Sequence, residues 1–147
     1  MAMFTHEVVT EIVIHASAVR VWGVLEDVAA WTQWNPFLRL VAGEFVLGGA
    51  ITVSATPPGG RAMKFRAIVS AADPVRGLSW VGALPLPGLF RGEHYFRLVP
   101  VGPESVRFVQ GERFSGLLVP LLRARLDGPI RRGYEAMNAA LKRRTEE

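Results

Sequence analysis

The chain has 147 residues, a formal net charge of +4 and no cysteine. This length predicts one domain spanning residues 1–147, and 50% hydrophobic with 20% charged residues excludes an intrinsically disordered chain. The lack of cysteine excludes disulfides, thiolate metal sites and cysteine nucleophiles, and it favours a cytoplasmic location.

Charge and hydropathy also limit the partners to be expected. No apolar run approaches the roughly 20 residues that a membrane-spanning helix needs, and Met1 to Thr10 do not follow the pattern of a signal peptide. Much of the positive charge lies in one C-terminal segment, which favours the solvated face of an amphipathic helix over a nucleic-acid surface. The basic residues of that segment are Arg123, Arg125, Arg131, Arg132, Lys142, Arg143 and Arg144.

The N-terminal third predicts one strand followed by two short helices. Glu7–His15 alternates in polarity and is rich in Val and Ile, which is typical of a β-strand. Ser17 stands at an N-cap position, and apolar residues at helical spacing follow it up to Asp27. A second short helix is predicted for Ala29–Trp34, because Asn35 precedes a proline and such a residue avoids the helical region.

Between residues 38 and 114 the pattern is one of strands separated by Gly- and Pro-rich turns. The short connections favour antiparallel neighbours, so with the first strand we predict a seven-stranded antiparallel sheet. The six predicted strands are Leu38–Leu47, Ala50–Ala55, Ala62–Ala72, Gly77–Ala83, Gly88–Val99 and Ser105–Phe114.

The C-terminal segment predicts a long amphipathic helix with a kink. Pro129 removes an amide from the helix, so the kink is expected near Gly128. Strands followed by this helix predict an α+β fold in which the sheet curves around the helix. The apolar stripe consists of Leu118, Leu122, Leu126, Ile130, Tyr134, Met137 and Leu141.

Five stretches of the chain resemble a known family. They are Ala18–Trp22, Trp31–Phe37, Gly92–Phe96, Gln110–Gly116 and Tyr134–Leu141. In this order they resemble the SRPBCC group of the START-like superfamily, which includes polyketide cyclase/dehydrase-like proteins and lipid-transfer domains. The resemblance implies a helix-grip fold with a cavity between the sheet and the C-terminal helix. Members of the family act as carriers, receptors, cyclases or chaperone co-activators, so the fold alone does not select one of these functions.

Strand alternation places three polar side chains on an otherwise apolar face. His94 shares a face with Phe90, Gly92, Phe96 and Leu98. Gln110 and Glu112 share a face with Val106, Phe108 and Phe114 of the last strand. The opposite side chains, Arg91, Glu93, Tyr95 and Arg97, are expected to be solvated.

Two interpretations of these polar residues remain open. Inward polar groups cost free energy unless they are paired. His94, Gln110 and Glu112 would therefore bond to one another or to water and orient a ligand. Alternatively, His94 and Glu112 would act as acid and base in a cyclisation or dehydration.

Apolar residues complete the predicted site, although core packing is the alternative role for most of them. The predicted ligand contacts are Trp80, Phe65, Phe96, Phe108, Leu122, Leu126 and Tyr134. The connection Leu84–Phe90 is unusually apolar and predicts either a lid over the cavity or a partner surface.

The sequence thus leads to three functional hypotheses. The first is binding of a small hydrophobic molecule such as a lipid, polyketide or aromatic metabolite. The second is a cyclase or dehydrase, and the third is an interaction module resembling heat-shock ATPase activators, which would dock through Leu86 and Phe90. His6 and His15 lack a paired spacing with His94, so no metal site is expected. We expect no cofactor and no nucleic-acid partner, and a homodimer is possible.

Overall fold

The computed structural model describes residues 4–147 and contains one seven-stranded sheet, with helices after the first strand and after the last. The strands are β1 Thr5–Ile14, β2 Leu38–Ala42, β3 Ala50–Ala55, β4 Met63–Asp73, β5 Gly77–Ala83, β6 Arg91–Gly102 and β7 Ser105–Ser115. The helices are α1 Ala18–Glu26, α2 Trp31–Trp34, α3 Val119–Arg125 and α4 Arg131–Glu146.

The sheet is antiparallel throughout, in the order β1-β7-β6-β5-β4-β3-β2. Only β1 leaves its sequence neighbours, and it pairs with β7 along its whole length. The register shifts in β2, β4 and β6, and such irregularities bend a sheet. The predicted helix-grip fold, with the sheet curved around the C-terminal helix, is confirmed.

Two strands are shorter at one end than the alternation predicts. β2 ends at Ala42, not at Leu47, because Gly43 turns the chain with a φ of +90° and residues 43–49 form turns. A Cβ on Gly43 would fall on the Ala50 carbonyl, so this turn requires glycine. β6 begins at Arg91, not at Gly88, since residues 84–90 form a closed loop.

The helices begin and bend where the sequence indicates. The Ser17 hydroxyl accepts from the Arg20 amide at 3.2 Å, which confirms the N-cap of α1. The predicted second helix is a 3₁₀ turn, Val28–Ala30, that continues into α2. Between α3 and α4, Leu126–Ile130 forms one π-helical turn containing Gly128 and Pro129, which is the expected kink.

The C-terminal helix packs across β1 and against α1. Its stripe residues Tyr134, Met137 and Leu141 are buried in the core together with the inward residues of the sheet. Gly133 lets the helix approach Phe37, whose ring meets that of Tyr134 edge to face at 5.4 Å. Within residues 4–147, no helix is long and apolar enough to cross a membrane.

Candidate functional site

A cavity of about 390 Å³ lies between the sheet and the segment that runs from α3 to the start of α4. Strands β3 to β7 form one wall, and the residues around the π-helical turn form the other. The lining includes Phe37, Leu38, Ala55, Pro57, Met63, Lys64, Phe65, Trp80, Gly82, Ala83, Leu84, Phe90, Gly92, His94, Glu112, Phe114, Leu122, Arg125, Leu126, Pro129, Ile130 and Tyr134.

The structure brings seven of the ten predicted ligand-contact residues to this cavity. They are His94, Glu112, Trp80, Phe65, Leu122, Leu126 and Tyr134. The other three, Gln110, Phe96 and Phe108, are buried but do not line it. Phe96 and Phe108 pack against each other at 5.6 Å in the core, and Gln110 holds a buried hydrogen-bond network.

A histidine, a carboxylate and a phenol meet in the cavity wall. His94 and Glu112 are directly opposite each other on β6 and β7, and His94 Nδ1 lies 3.4 Å from Glu112 Oε1. The Tyr134 hydroxyl donates a short hydrogen bond to the same carboxylate oxygen from α4. The His94 side chain is almost fully buried, whereas Glu112 keeps about a fifth of its side chain accessible. Glu112 is therefore the accessible member of a desolvated polar cluster.

The electrostatics of this cluster keep Tyr134 a hydrogen-bond donor. Burial raises the pKa of the Tyr134 phenol well above its ordinary value, and the charge of Glu112 and their hydrogen bond raise it further. The phenol is therefore protonated whenever the protein is folded at neutral pH, and its proton points at Glu112.

Aromatic rings hold the His94 imidazole in place. It stacks on Trp80 with the ring centroids 4.5 Å apart and the planes 4° from parallel. Phe96 and Tyr134 meet the imidazole edge to face, at 5.4 and 5.1 Å. The Trp80 indole N–H is buried and has no hydrogen-bond partner among residues 4–147, so the wall contains an unused donor.

Behind His94 a chain of hydrogen bonds runs through the core. His94 Nε2 lies 3.0 Å from Gln110 Oε1, and Gln110 Nε2 donates to Asn138 Oδ1 at 2.7 Å. Asn138 Nδ2 donates to the Thr10 hydroxyl, which donates to the Gln110 carbonyl, each at 2.8 Å. These polar side chains are thereby satisfied although they are buried.

Gly92 provides the space that the Glu112 carboxylate occupies. It lies on β6 two residues before His94, opposite Phe114 of β7. A Cβ at this position would fall on Glu112 Oε2. The absence of a side chain at Gly92 therefore sets where the carboxylate rests.

The mouth of the cavity is apolar with a basic edge. Lys64 and Arg125 line it beside Met63 and Phe65, which are both partly exposed. A second pocket of about 340 Å³ adjoins this edge, and it shares Pro57, Met63, Arg125 and Pro129 with the cavity.

The loop of residues 84–90 is attached to the start of the C-terminal helix. The Leu117 and Leu118 amides donate to the carbonyls of Gly88 and Leu89, each at 3.0 Å. Leu84 and Phe90 line the cavity, whereas Leu86 is 65% exposed. The loop thus borders the cavity at one end and presents a leucine to solvent.

The sequence pattern did not identify several residues of this site. Asn138 lies four residues after Tyr134 on the inward stripe of α4, and a polar residue at that spacing is a signal that could have identified it. Lys64 and Arg125 gave no such signal, since only tertiary packing brings them to the cavity, whereas strand alternation places Gly92 on the face of His94.

The expectation that Tyr95 is solvated is wrong. Tyr95 is 5% exposed because its ring lies between the guanidinium groups of Arg97 and Arg113, at 4.7 and 4.6 Å. Its hydroxyl donates to Glu7 at 2.8 Å. An amphipathic ring on the outer face can be covered by long cationic side chains, which alternation does not reveal.

No group of three or more His, Asp or Glu side chains that could hold a metal ion occurs within residues 4–147.

Comparison with known protein families gives one match over nearly the whole chain. Residues 5–146 match the model of the family described as polyketide cyclase/dehydrase and lipid transport. No curated protein matches the chain.

Solved structures of similar fold cover most of the chain at low sequence identity. The Zhui aromatase/cyclase from Streptomyces sp. R1128 has a TM-score of 0.73 and 18% identity, covering 97% of this chain and 94% of that one. Norcoclaurine synthase from Thalictrum flavum, in complex with dopamine and hydroxybenzaldehyde, has a TM-score of 0.71 and 15% identity, covering 97% and 87%. A START superfamily protein from Mycobacterium smegmatis has a TM-score of 0.65 and 19% identity, covering 96% and 97%. At these identities the likeness establishes the fold.

Proposed function

Because the chain belongs to the family of polyketide cyclases/dehydrases and lipid-transport proteins, we propose that its cavity binds a small, mostly apolar molecule that carries one polar group. The observation that supports this most is the cavity itself, an apolar chamber with the His94–Glu112–Tyr134 cluster in its wall. Convergent polar groups in an apolar pocket are typical of sites that orient a ligand.

The size of the cavity limits the ligand. A volume of about 390 Å³ lies near the lower end of the range of about 300–1,000 Å³ for small-molecule pockets. The lining also includes the aromatic side chains of Trp80, Phe90 and Phe114, which favour contact with another aromatic ring. These features favour a compact aromatic or polyketide-like molecule over a long acyl chain.

The polar group of the ligand would meet Glu112. This carboxylate is the accessible member of the cluster, and Tyr134 already occupies one of its oxygens. A ligand hydroxyl would donate to Glu112. Hydrogen bonds to charged groups are worth about 1.5–3 kcal/mol, so a hydroxyl should add roughly tenfold or more to the affinity.

Calorimetric titration with naphthalene and 2-naphthol tests this proposal. We expect both to bind the wild-type protein, with 2-naphthol at least about tenfold tighter. Glu112→Gln should remove most of that preference. Glu93→Gln is the matched control, because Glu93 lies on β6 beside His94 but faces Arg113 on the outer side of the sheet.

Two results would contradict the proposal. One is that neither compound binds, and the other is that 2-naphthol binds Glu112→Gln and Glu93→Gln equally well. Native mass spectrometry of the protein from its own host complements the titration. A bound mass that disappears on denaturation would identify the natural ligand.

A second candidate function, acid–base catalysis of a cyclisation or dehydration, is supported by a different observation. His94 Nδ1 lies 3.4 Å from Glu112 Oε1, which places a base beside a carboxylate that is accessible from the cavity. Positioned acids and bases of this kind contribute about a hundred- to ten-thousand-fold in rate.

Enolisation of a bound ketone tests the catalytic candidate without knowledge of the natural substrate. The probe is 2-acetylnaphthalene in D₂O, and the signal is deuterium exchange at its methyl group followed by NMR. We expect faster exchange with the wild-type protein and with Glu93→Gln than with His94→Gln or Glu112→Gln. Equal rates for all four proteins would contradict catalysis and leave ligand binding as the function.

A further inference from the structure

In the hydrogen-bond chain behind His94, the Thr10 end determines which group donates and which accepts in each bond. Thr10 has one hydroxyl proton, and it donates that proton to the Gln110 carbonyl at 2.8 Å. A backbone carbonyl can only accept, so the Thr10 oxygen must itself accept from Asn138. The amide group of Asn138 therefore faces Thr10 with its nitrogen.

The orientation of Asn138 in turn determines the orientation of the Gln110 amide beside the imidazole. Since the Asn138 nitrogen faces Thr10, Asn138 Oδ1 faces Gln110 and must receive a proton from Gln110 Nε2. The carbonyl of Tyr134, 3.4 Å from the same nitrogen, requires the same orientation independently. If the Gln110 amide were reversed, its oxygen would face two acceptors.

The consequence for His94 is a defined tautomer. Gln110 Oε1, which can only accept, lies 3.0 Å from His94 Nε2, so Nε2 must bear a proton. In a neutral imidazole Nδ1 then has a lone pair, and this nitrogen lies 3.4 Å from Glu112 Oε1. A lone pair and a carboxylate oxygen repel each other unless a proton lies between them.

We propose that Thr10, Asn138 and Gln110 are positioning residues that hold a proton on Nε2 of His94, so that Nδ1 of His94 and Glu112 share one mobile proton at the cavity wall. The proton moves between Nδ1 and the carboxylate, giving either imidazole with carboxylic acid or imidazolium with carboxylate, and the total charge is the same in both states. That this proton serves a ligand rests on the function proposed above, whereas the tautomer is a property of the free protein.

The surroundings of His94 contain few other titratable groups. From β7 it faces Glu112, and from α4 it faces Tyr134, whose proton is already donated to Glu112. Its ring neighbours on β5 and β6, Trp80 and Phe96, do not titrate. Lys64 and Arg125 are the cationic residues of the cavity lining.

The nitrogen shifts of His94 in ligand-free protein test the proposal. The chain has three histidines, so in a His6→Gln/His15→Gln background every imidazole nitrogen signal comes from His94. In ¹⁵N-labelled protein we expect Nε2 to show the shift and one-bond coupling of a protonated nitrogen throughout the pH range in which the protein is folded. A protonated Nδ1 beside an unprotonated Nε2 would overturn the proposal.

Two substitutions at Gln110 distinguish the effect of its acceptor oxygen from the effect of its NH₂ group. Gln110→Met is similar in size but removes the acceptor that faces Nε2, so Nε2 should lose its proton to solvent and the imidazole should keep only the proton that it shares with Glu112. Gln110→Glu also loses the NH₂ group but keeps an acceptor, and Nε2 should remain protonated. Identical tautomers in the two variants would show that Gln110 does not hold the proton.

Substitutions at Thr10 test the far end of the chain and serve if a Gln110 variant does not fold. Thr10→Val preserves shape but removes the hydroxyl, which frees the Asn138 amide to reverse and leaves Gln110 oriented only by its long 3.4 Å contact with the Tyr134 carbonyl. We expect the Nε2 shift to move towards that of an unprotonated nitrogen, and Thr10→Ser to restore the wild-type shift. An unchanged spectrum for Thr10→Val would exclude Thr10 as the residue that sets the direction.

These measurements use no ligand, so their outcome is separate from that of the naphthol titration. A protein that binds 2-naphthol but has the opposite tautomer would retain the proposed function and lose this inference. A protein that has the proposed tautomer but does not bind 2-naphthol would support this inference and contradict the proposed function.

Discussion

At position 92 a hydrogen atom stands where any other amino acid would have a Cβ, and the Glu112 carboxylate occupies the adjacent space. Glu112 is held there by Tyr134 and faces His94. The position of the one accessible carboxylate of the site therefore depends on a residue that carries no functional group of its own.

Gly92→Ala should displace the Glu112 carboxylate without removing its charge. The new Cβ meets mainly the end of the flexible Glu112 side chain, and the Phe114 ring, 3.3 Å away, needs to shift by only a few tenths of an ångström, so we expect the protein to fold. The affinity for 2-naphthol should fall about tenfold or more as the aligned hydrogen bond is lost. Gly102→Ala on the same strand is the control, since a Cβ there meets only Ser105 at an ordinary 3.8 Å. Equal affinities of the two variants in calorimetry would contradict this role of Gly92.

The two tyrosines predict how the stability depends on alkaline pH. Burial, with the hydrogen bond to Glu7 and its charge, raises the pKa of Tyr95 from 10.0 to about 12, and the pKa of Tyr134 is raised well above its ordinary value. Above pH 10 the unfolded chain therefore loses these protons while the folded protein keeps them. The free energy of unfolding is unaffected by these groups below pH 10, and it falls as the pH rises towards 12.

Urea denaturation at about pH 9 and about pH 11, with tyrosinate absorbance of the folded protein, checks this prediction. Tyr95→Phe should reduce the pH dependence, because it removes one of the two shifted groups. Tyrosinate absorbance that appears near pH 10 in the folded protein would contradict it.

At the scale of the elements, a side-chain cap determines where α1 begins, whereas a glycine turn and a loop contact determine one end each of β2 and β6. Ser17 caps α1 through a bond of its own side chain, which makes this boundary readable from the sequence. The ends of β2 and the start of β6 depend on Gly43 and on the attachment of the loop 84–90 to residues 117–118. Polarity patterns do not contain that information.

The cap gives a direct stability prediction. Ser17→Ala should lower the free energy of unfolding by about 1 kcal/mol, because the Arg20 amide loses its acceptor. Ser17→Asp should retain most of the stability, since aspartate accepts in the same way. Urea denaturation of the three proteins measures both effects. A Ser17→Ala variant as stable as the wild type would show that the hydrogen bond from the Arg20 amide to Ser17 does not contribute to stability.

At the scale of the whole molecule, the cavity exists because the curved sheet and the helix do not meet everywhere. Tyr134, Met137 and Leu141 close the core where α4 crosses β1, whereas α3 and the π-helical turn stand away from β3 to β6. A ligand in this space would stabilise only the folded state. At a hundred times Kd the gain is about 2.7 kcal/mol.

A larger side chain that fills the cavity should therefore stabilise the folded state as a bound ligand does, and it should leave no room for the ligand. For the wild-type protein near saturation with 2-naphthol, we expect Tm to rise by roughly 5–10 °C. Ala55 lines the cavity and is buried, so Ala55→Leu adds methyl groups to the empty space. This variant should unfold at or above the Tm of the ligand-free wild type and show little further rise with 2-naphthol. A full ligand-induced rise in Ala55→Leu would place the binding site elsewhere.

The sequence by itself determined the order of the elements, the antiparallel sheet and the kinked C-terminal helix, because periodicity, proline and turn residues act locally. It also determined that His94 and Glu112 share a face, since side chains alternate along every strand. Only the tertiary structure decided which inward residues line a cavity and which fill the core, as the placement of Trp80 and Phe96 shows. It also decided that Gln110 and Asn138 stand behind His94, because that depends on where a helix more than 20 residues away in sequence crosses the sheet.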